Sequence, residues 1–307
     1  MSETESNALK QNTARLSIVS NTLLVVLKLI VGLYVGAVSL ISEAAHSAVD
    51  LLAAIIAFYA VKKASVPPDK QHAYGHGKFE NLSSAIEALL IVFAAVWIVY
   101  ESIHKLNNLT APESLEYGIL IMIVSIVVNY IVSGRLMKVA RETHSQALEA
   151  DGLHLRADIW TSVGVLIGLA AIKMTGWLWI DPVIAIFVAG IIFKAGYTMT
   201  IESTKELTDM SLPIEDEKII SDIFENHKDV IGFHKLRTRR SGAYRLLDVH
   251  IVLEKDMHLD KVHDICDQLE NQLKNALGMC DVVIHAEPLG HTPEMRKVNS
   301  ENAESEK

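Results

Sequence analysis

Apolar residues fall in long runs over the first two thirds of the chain and give way to a mixed, periodic pattern beyond about Ser203. A helix that crosses a bilayer needs about 20 predominantly apolar residues. Six stretches meet that need: residues 14–36, 38–62, 80–105, 113–138, 148–174 and 178–202. They predict a six-helix transmembrane domain over 14–208, preceded by a polar tail at 1–13. Only Gly36 and Ala37 separate the first two stretches, which predicts a tight hairpin.

After Leu212-Pro213 the periodicity becomes that of a water-soluble domain. IEDEKIISDIFENHK has helical spacing with acids in its first turn. VIGFHKLRTRRSG and AYRLLDVHIVLE read as strands about a Ser241-Gly242 turn. LDKVHDICDQLENQLKNALG is an amphipathic helix ending at Gly278, and CDVVIHAEP is a last strand. The order αββαβ predicts an α+β domain over 209–290 with helices on one face of a sheet. Residues 291–307 are polar and acidic and read as a disordered tail.

Charge then orients the spans. Arg15, Lys62, Lys63, Lys70, Lys78, Arg135, Lys138, Arg141 and Lys205 fall on the side of both termini, against Lys105 and Lys173 opposite. The positive-inside rule predicts a multi-pass inner-membrane protein with cytoplasmic termini, and Trp97, Tyr100, Trp177 and Trp179 suit the outer interface. The N-terminus lacks the layout of a cleavable signal. The net charge of -9 offers no basic nucleic-acid surface. Cys266 and Cys280 form neither a CxxC pair nor a disulfide framework and read as cytosolic thiols.

The candidate chemistry sits inside the spans. His46 and Asp50 in LISEAAHSAVDLLAAII are four residues apart and share one helical face, and His154 and Asp158 repeat the arrangement in the fifth stretch. Two imidazoles and two carboxylates supply four ligands for a tetrahedral zinc site. One such pair also suits a helix-packing hydrogen bond. Identical pairs on two separate helices favour a transport path, because charge in hydrocarbon is costly without a function. Imidazole binds metal only when neutral, so metal and protons compete for these residues, which suits a proton-linked movement of metal. Lys28, Glu43, Glu87 and Asn129 read as structural contacts within the bundle.

Two further sets lie outside the spans. In PPDKQHAYGHGKFE, Asp69, His72 and His76 converge on one metal if the loop turns back on itself; a solvated loop with incidental histidines fits that segment equally well alone. In the soluble domain His234 and His250 fall on strands and His263 on the helix. His285 and Glu287 lie two apart on one strand, hence on one sheet face. A two-metal site bridged by a carboxylate suits that set. His227, His258 and His291 read as bystanders.

Six spans, HxxxD in spans two and five, a loop ending GHGKFE and an αββαβ domain together resemble the cation diffusion facilitator family, from about Leu16 to Glu287. SLISEAAHSAVD and SQALEADGLHLRADI look most like its bacterial zinc and iron/zinc efflux branch. The resemblance implies a homodimer whose soluble domains, folded like copper metallochaperones, face each other in the cytosol. It implies a transport site of His46, Asp50, His154 and Asp158, a loop site of Asp69, His72 and His76, and a binuclear regulatory site of His234, His250, His263, His285 and Glu287. It also implies a hinge salt bridge between Lys78 and Asp209. Some iron/zinc members carry Asp in place of His46, and Asp often stands in place of Glu287. Imidazole suits zinc and oxygen-rich sets suit manganese, so Zn2+ is the expected substrate and regulatory ion, with Cd2+, Co2+, Fe2+ and Mn2+ open.

The expected activity is therefore secondary transport, with membrane lipid and protons as the other partners. A membrane-anchored metallohydrolase needs fewer spans and an acyl- or phosphoryl-transfer constellation. A metal sensor predicts no flux. A channel is disfavoured because four strong ligands hold zinc too tightly for rapid release.

Overall fold

The computed structural model describes residues 3–35, 38–107, 116–290 and 296–297. Its chain divides into two compact units, Met1–Leu207 and Thr208–Lys307. The first consists of six long helices: α1 (Glu3–Val35), α2 (Val38–Ala64), α3 (Lys78–Asn107), α4 (Glu116–Thr143), α5 (Gln146–Thr175) and α6 (Ile180–Leu207). Among the described residues, five of them, all except α2, are long and apolar enough to cross a membrane by length and composition. The first few side chains of α2 and the tip of its turn with α1 lie outside the description.

Helix α1 begins at Glu3, so the polar segment expected as a tail continues the first helix. The reason is its buried stripe: Ser6, Lys10, Thr13 and Ser17 recur at helical spacing and are all at most 4% exposed. Lys10 Nζ donates to Glu80 Oε1 of α3 at 2.8 Å, and the Ser145 hydroxyl, at the N-cap of α5, donates to the other oxygen of Glu80. Three helices thus meet on one carboxylate. Next to it the Asn81 amide donates to Gln146 Oε1 at 2.7 Å and to Glu206 Oε2 at 2.5 Å.

Helix α5 is the common wall of the bundle. Its Ala147, Leu148 and Leu155 join a core with Ala14, Val61, Val132, Leu136, Val139 and Ala140, while its Ala150 joins one with Ala88, Ile91, Val188 and Ile192. Close approach needs a missing side chain where α3 meets α6: a Cβ on Gly196 comes within 2.9 Å of Ile91 and 3.2 Å of the Val92 backbone nitrogen. Because α5 faces α2, α3 and α6 together, polar residues on its inner side meet those of α2.

The second unit runs α7 (Ile214–Glu225), β1 (Gly232–Ser241), β2 (Tyr244–Leu253), α8 (Leu259–Leu277), β3 (Cys280–Pro288) and β4 (Arg296–Lys297). The sheet order is β3-β2-β1-β4; β1 and β2 are antiparallel, and α8 carries the chain across to a β3 parallel to β2. Ile220 and Phe224 of α7 and Ile265, Leu269 and Leu273 of α8 pack on Phe233, Leu247, Val249 and Ile251 of the strands. That leaves the opposite face to the histidines, since successive strand residues alternate sides. Arg245 fastens the end of this unit, donating to Asp216 Oδ2 and to the Leu277 carbonyl, each at 2.8 Å. β4 arises within the segment expected to be disordered, pairing with Gly232 and Phe233; residues 291–295 and 298–307 lie outside the description.

Candidate metal centre

The two HxxxD helices bring their polar residues to one place. His46 and Asp50 of α2 and Asp158 of α5 each offer a ligand atom within 4.8 Å of the others. His154 joins through Asp50: its Nε2 lies 3.1 Å from Asp50 Oδ1, with both side chains buried. Its Nδ1 is buried with no hydrogen-bond partner among the described residues. The arrangement combines one imidazole with two carboxylates as an immediate cluster and keeps a second imidazole one hydrogen bond away. That donor set fits a borderline-soft divalent ion. Nearby, Lys28 Nζ donates to Ser47 Oγ at 2.7 Å within the α1–α2 hairpin. The Glu43 side chain is outside the described residues.

The loop between α2 and α3 turns back on itself as the cluster requires. Gly75, at φ +81° in the left-handed region, donates its N–H to the His72 carbonyl at 2.9 Å, a conformation glycine adopts without strain. Asp69 Oδ1 accepts from the backbone N–H groups of Gln71 and His72 at 2.8 and 2.7 Å. The His72 amide holds the Asp69 carboxyl below its ordinary value, against a smaller opposing effect of burial. His76 Nε2 lies 3.2 Å from Asp69 Oδ2, and the His72 and His76 rings are 4.4 Å apart. His76 Nδ1 sits 3.1 Å from the Val66 carbonyl; a proton there donates to that oxygen and leaves Nε2 an acceptor facing the Asp69 carboxylate, an arrangement that a shared cation would relieve.

In the second unit the sheet register aligns three imidazoles in a row. His234 pairs with His250 across β1 and β2, and His250 with His285 across β2 and β3. Ring centroids are 5.1 and 4.5 Å apart. Glu287 reaches back along the same face of β3: its carboxylate lies 2.7 Å from His250 Nδ1 and 3.1 Å from His234 Nε2. His234, His250 and Glu287 form a group whose ligand atoms lie within 4.8 Å of one another. His285 stands at the margin, 3.8 Å from Glu287 and largely exposed. His263 is not brought into this group; it is exposed on α8, 3.7 Å from Asp267.

His227, expected to be a bystander, has a structural role, and the expected hinge pair Lys78 and Asp209 falls in different units. His227 is buried at the end of α7, where its Nδ1 accepts from the Asp229 amide at 3.4 Å. Asp209, at the start of the second unit, accepts from Arg239 Nη1 at 3.1 Å, and Lys78 opens α3. Burial raises the thiols of Cys266 and Cys280, the latter to about 11, so neither offers a ready thiolate ligand. Glu80 went unmarked in the sequence; an acid at the first turn of a span, three residues after the Gly77 that ends a loop, was its one signal.

Comparison with known proteins follows the same division. The cation efflux transmembrane domain matches residues 14–208, and the cytoplasmic domain of cation efflux proteins matches residues 212–289. The chain is 34% identical over 255 residues to the uncharacterized transporter sll1263 of Synechocystis sp., covering 83% of this chain and 82% of that one. It is 30% identical over 280 residues to the cation-efflux pump FieF of Shewanella oneidensis, covering 91% and 94%. Among solved structures, the metal-bound C-terminal domain of the CzcD transporter from Thermotoga maritima aligns at 24% identity with 25% of this chain and 91% of that domain, with a TM-score of 0.25.

Proposed function

Because this chain belongs to the cation efflux family, the cation diffusion facilitators, and is therefore a multi-pass divalent-metal transporter rather than an enzyme, we propose that it exports Zn2+ from the cytoplasm in exchange for protons, as an inner-membrane homodimer working by alternating access. The observation that carries this reading is the convergence of His46, Asp50 and Asp158 between two apolar helices, with His154 hydrogen-bonded to Asp50.

Each residue then has a chemical task. Asp50 and Asp158 supply the negative charge that offsets a dication in a medium where charge is expensive. His46 and His154 tilt the set from manganese toward zinc, since imidazole is the softer ligand. Proton coupling follows from the second imidazole. A proton on His154 Nε2 donates to Asp50; the same nitrogen binds metal only after giving that proton up, so metal and proton exclude each other. Asp69, His72 and His76 would capture metal on the cytoplasmic side. The row of His234, His250 and His285 with Glu287 would hold regulatory ions, His263 being supplied at a contact between copies. The match to the cytoplasmic domain of cation efflux proteins supports the dimer, and the Lys/Arg asymmetry supports cytoplasmic termini.

The test is metal flux in proteoliposomes under an imposed pH gradient, with zinc, cadmium, cobalt, ferrous iron and manganese compared. Zinc should move fastest and should follow the proton gradient, and Asp50→Ala and Asp158→Ala should abolish its movement. A flux indifferent to the gradient rejects antiport; full zinc flux in both variants rejects the site.

A further inference from the structure

The transport reading leaves one cationic feature of the first unit unused. A cleft of about 360 Å³ opens between α4 and α5, lined by Gly134, Met137, Lys138, Arg141 and Glu142 of α4 and Arg156 of α5. Residues 134, 137, 138 and 141 recur on one helical face. Glu142 is the single acid of the lining and lies 3.9 Å from Lys138, so two guanidinium groups remain in excess. Glu149, within electrostatic reach of Arg141, stands outside the lining.

Arg156 is the informative residue. It is exposed, yet it lies inside the apolar α5, between His154 and Asp158. A charge at that depth is costly unless it reaches a counter-charge or the headgroup layer. Its side chain shares the cleft with Arg141, which lies near the end of α4. Beside the cleft the helices present Val127, Tyr130, Ile131 and Trp160, all more than half exposed, an apolar flank of the kind that acyl chains cover. Gly134 leaves the floor open, since a Cβ built there meets nothing within 4 Å.

We propose that this cleft binds the phosphate headgroup of an anionic phospholipid, with Arg141 and Arg156 as forked donors and the acyl chains along the Val127–Trp160 flank. Guanidinium matches phosphate geometry with paired donors. Basic pockets between membrane helices are general sites for anionic headgroups. Phosphate free in water shares the headgroup chemistry but gains nothing from the apolar flank, which is why a lipid is the better occupant.

The full chain in detergent should be titrated with phosphatidylglycerol, cardiolipin, phosphatidylcholine or inorganic phosphate, following the thermal unfolding midpoint and bound lipid by native mass spectrometry. The two anionic lipids should bind and raise the midpoint; phosphatidylcholine and phosphate should not. The Arg141→Gln/Arg156→Gln variant should bind anionic lipid weaker by roughly 10-fold or more. Gly134→Leu should do likewise by filling the cleft while keeping every charge, and Lys62→Gln, outside the cleft, should bind normally. The lipid-free midpoint identifies a variant that has lost its fold, in which case Gly134→Leu decides. Undiminished anionic-lipid binding in the cleft variants, equal binding of phosphatidylcholine, or the same stabilisation by phosphate alone each overturns the proposal.

Discussion

His154 Nε2 lies 3.1 Å from Asp50 Oδ1 across the buried contact between α5 and α2. The hydrogen bond links the two HxxxD helices through atoms that the proposed site would offer to a metal. Asp50→Asn separates charge from shape: the amide oxygen still accepts from His154, but the dication loses one of its two carboxylates. Zinc flux in proteoliposomes should fall by more than the roughly 10–100-fold that losing a merely supporting group costs a metal site. Flux within about 3-fold of the parent, inside the usual scatter of single-interaction effects, would remove Asp50 from the site.

Glu287 holds His234 and His250 together, its carboxylate oxygens lying 3.1 and 2.7 Å from their ring nitrogens. Glu287→Gln should abolish zinc binding at this site, because an amide supplies one neutral oxygen where the carboxylate supplies two charged ones. Glu287→Asp should weaken binding by about 10-fold, since the shorter arm reaches the two strands less well. His263→Ala should leave the intramolecular His234–His250–Glu287 group able to bind. Zinc stoichiometry by equilibrium competition on the purified chain distinguishes the three, and unaltered stoichiometry in Glu287→Gln would contradict the assignment.

The apolar runs made the six long helices readable, and the i, i+4 spacing in α2 and α5 made the convergence of their His and Asp residues readable, because both signals are local. What escaped was set by distant pairing. No sequence period shows that β1, β2 and β3 align His234, His250 and His285 in one row; that depends on the register of three strands, one of them across the α8 connection. Nor does sequence show that His154 meets Asp50 as a hydrogen-bond partner while His46, Asp50 and Asp158 make the closer group. The N-terminal segment reads as a tail because its residues are polar, yet its polar stripe is buried and carries the Lys10 that pairs with Glu80. β4 is two residues long, too short for any alternating pattern.

Cys280 gives a pH prediction for the second unit. Burial raises its thiol to about 11 from an ordinary value of 9.0. A raised value means the folded state holds the proton more tightly than the unfolded one. The stabilisation is complete below pH 9 and is lost as pH rises from about 9 toward about 11. Alkylation of Cys280 by iodoacetamide, read by peptide mass mapping, should stay slow through pH 9 and accelerate only near pH 11. Rapid labelling at pH 8 would show the thiol to be accessible and ionised instead.

Glu80 joins three helices, accepting from Lys10 of α1 and from Ser145 at the start of α5, with 1% of its side chain exposed. Removing one partner of a buried pair leaves the other charge uncompensated, so Glu80→Gln should destabilise the transmembrane unit by about 3–5 kcal/mol. Ser145→Ala, which removes both a donor to Glu80 and the N-cap of α5, should cost about 0.5–2 kcal/mol. Lys10→Met with Glu80→Gln removes the stranded cation as well, and the double variant should be more stable than Glu80→Gln alone. That ordering is the discriminating result, because a Glu80 that acted only through packing would make the two losses additive. Reversible unfolding in mixed micelles measures it, and additive losses would reduce the three-helix junction to ordinary helix contacts.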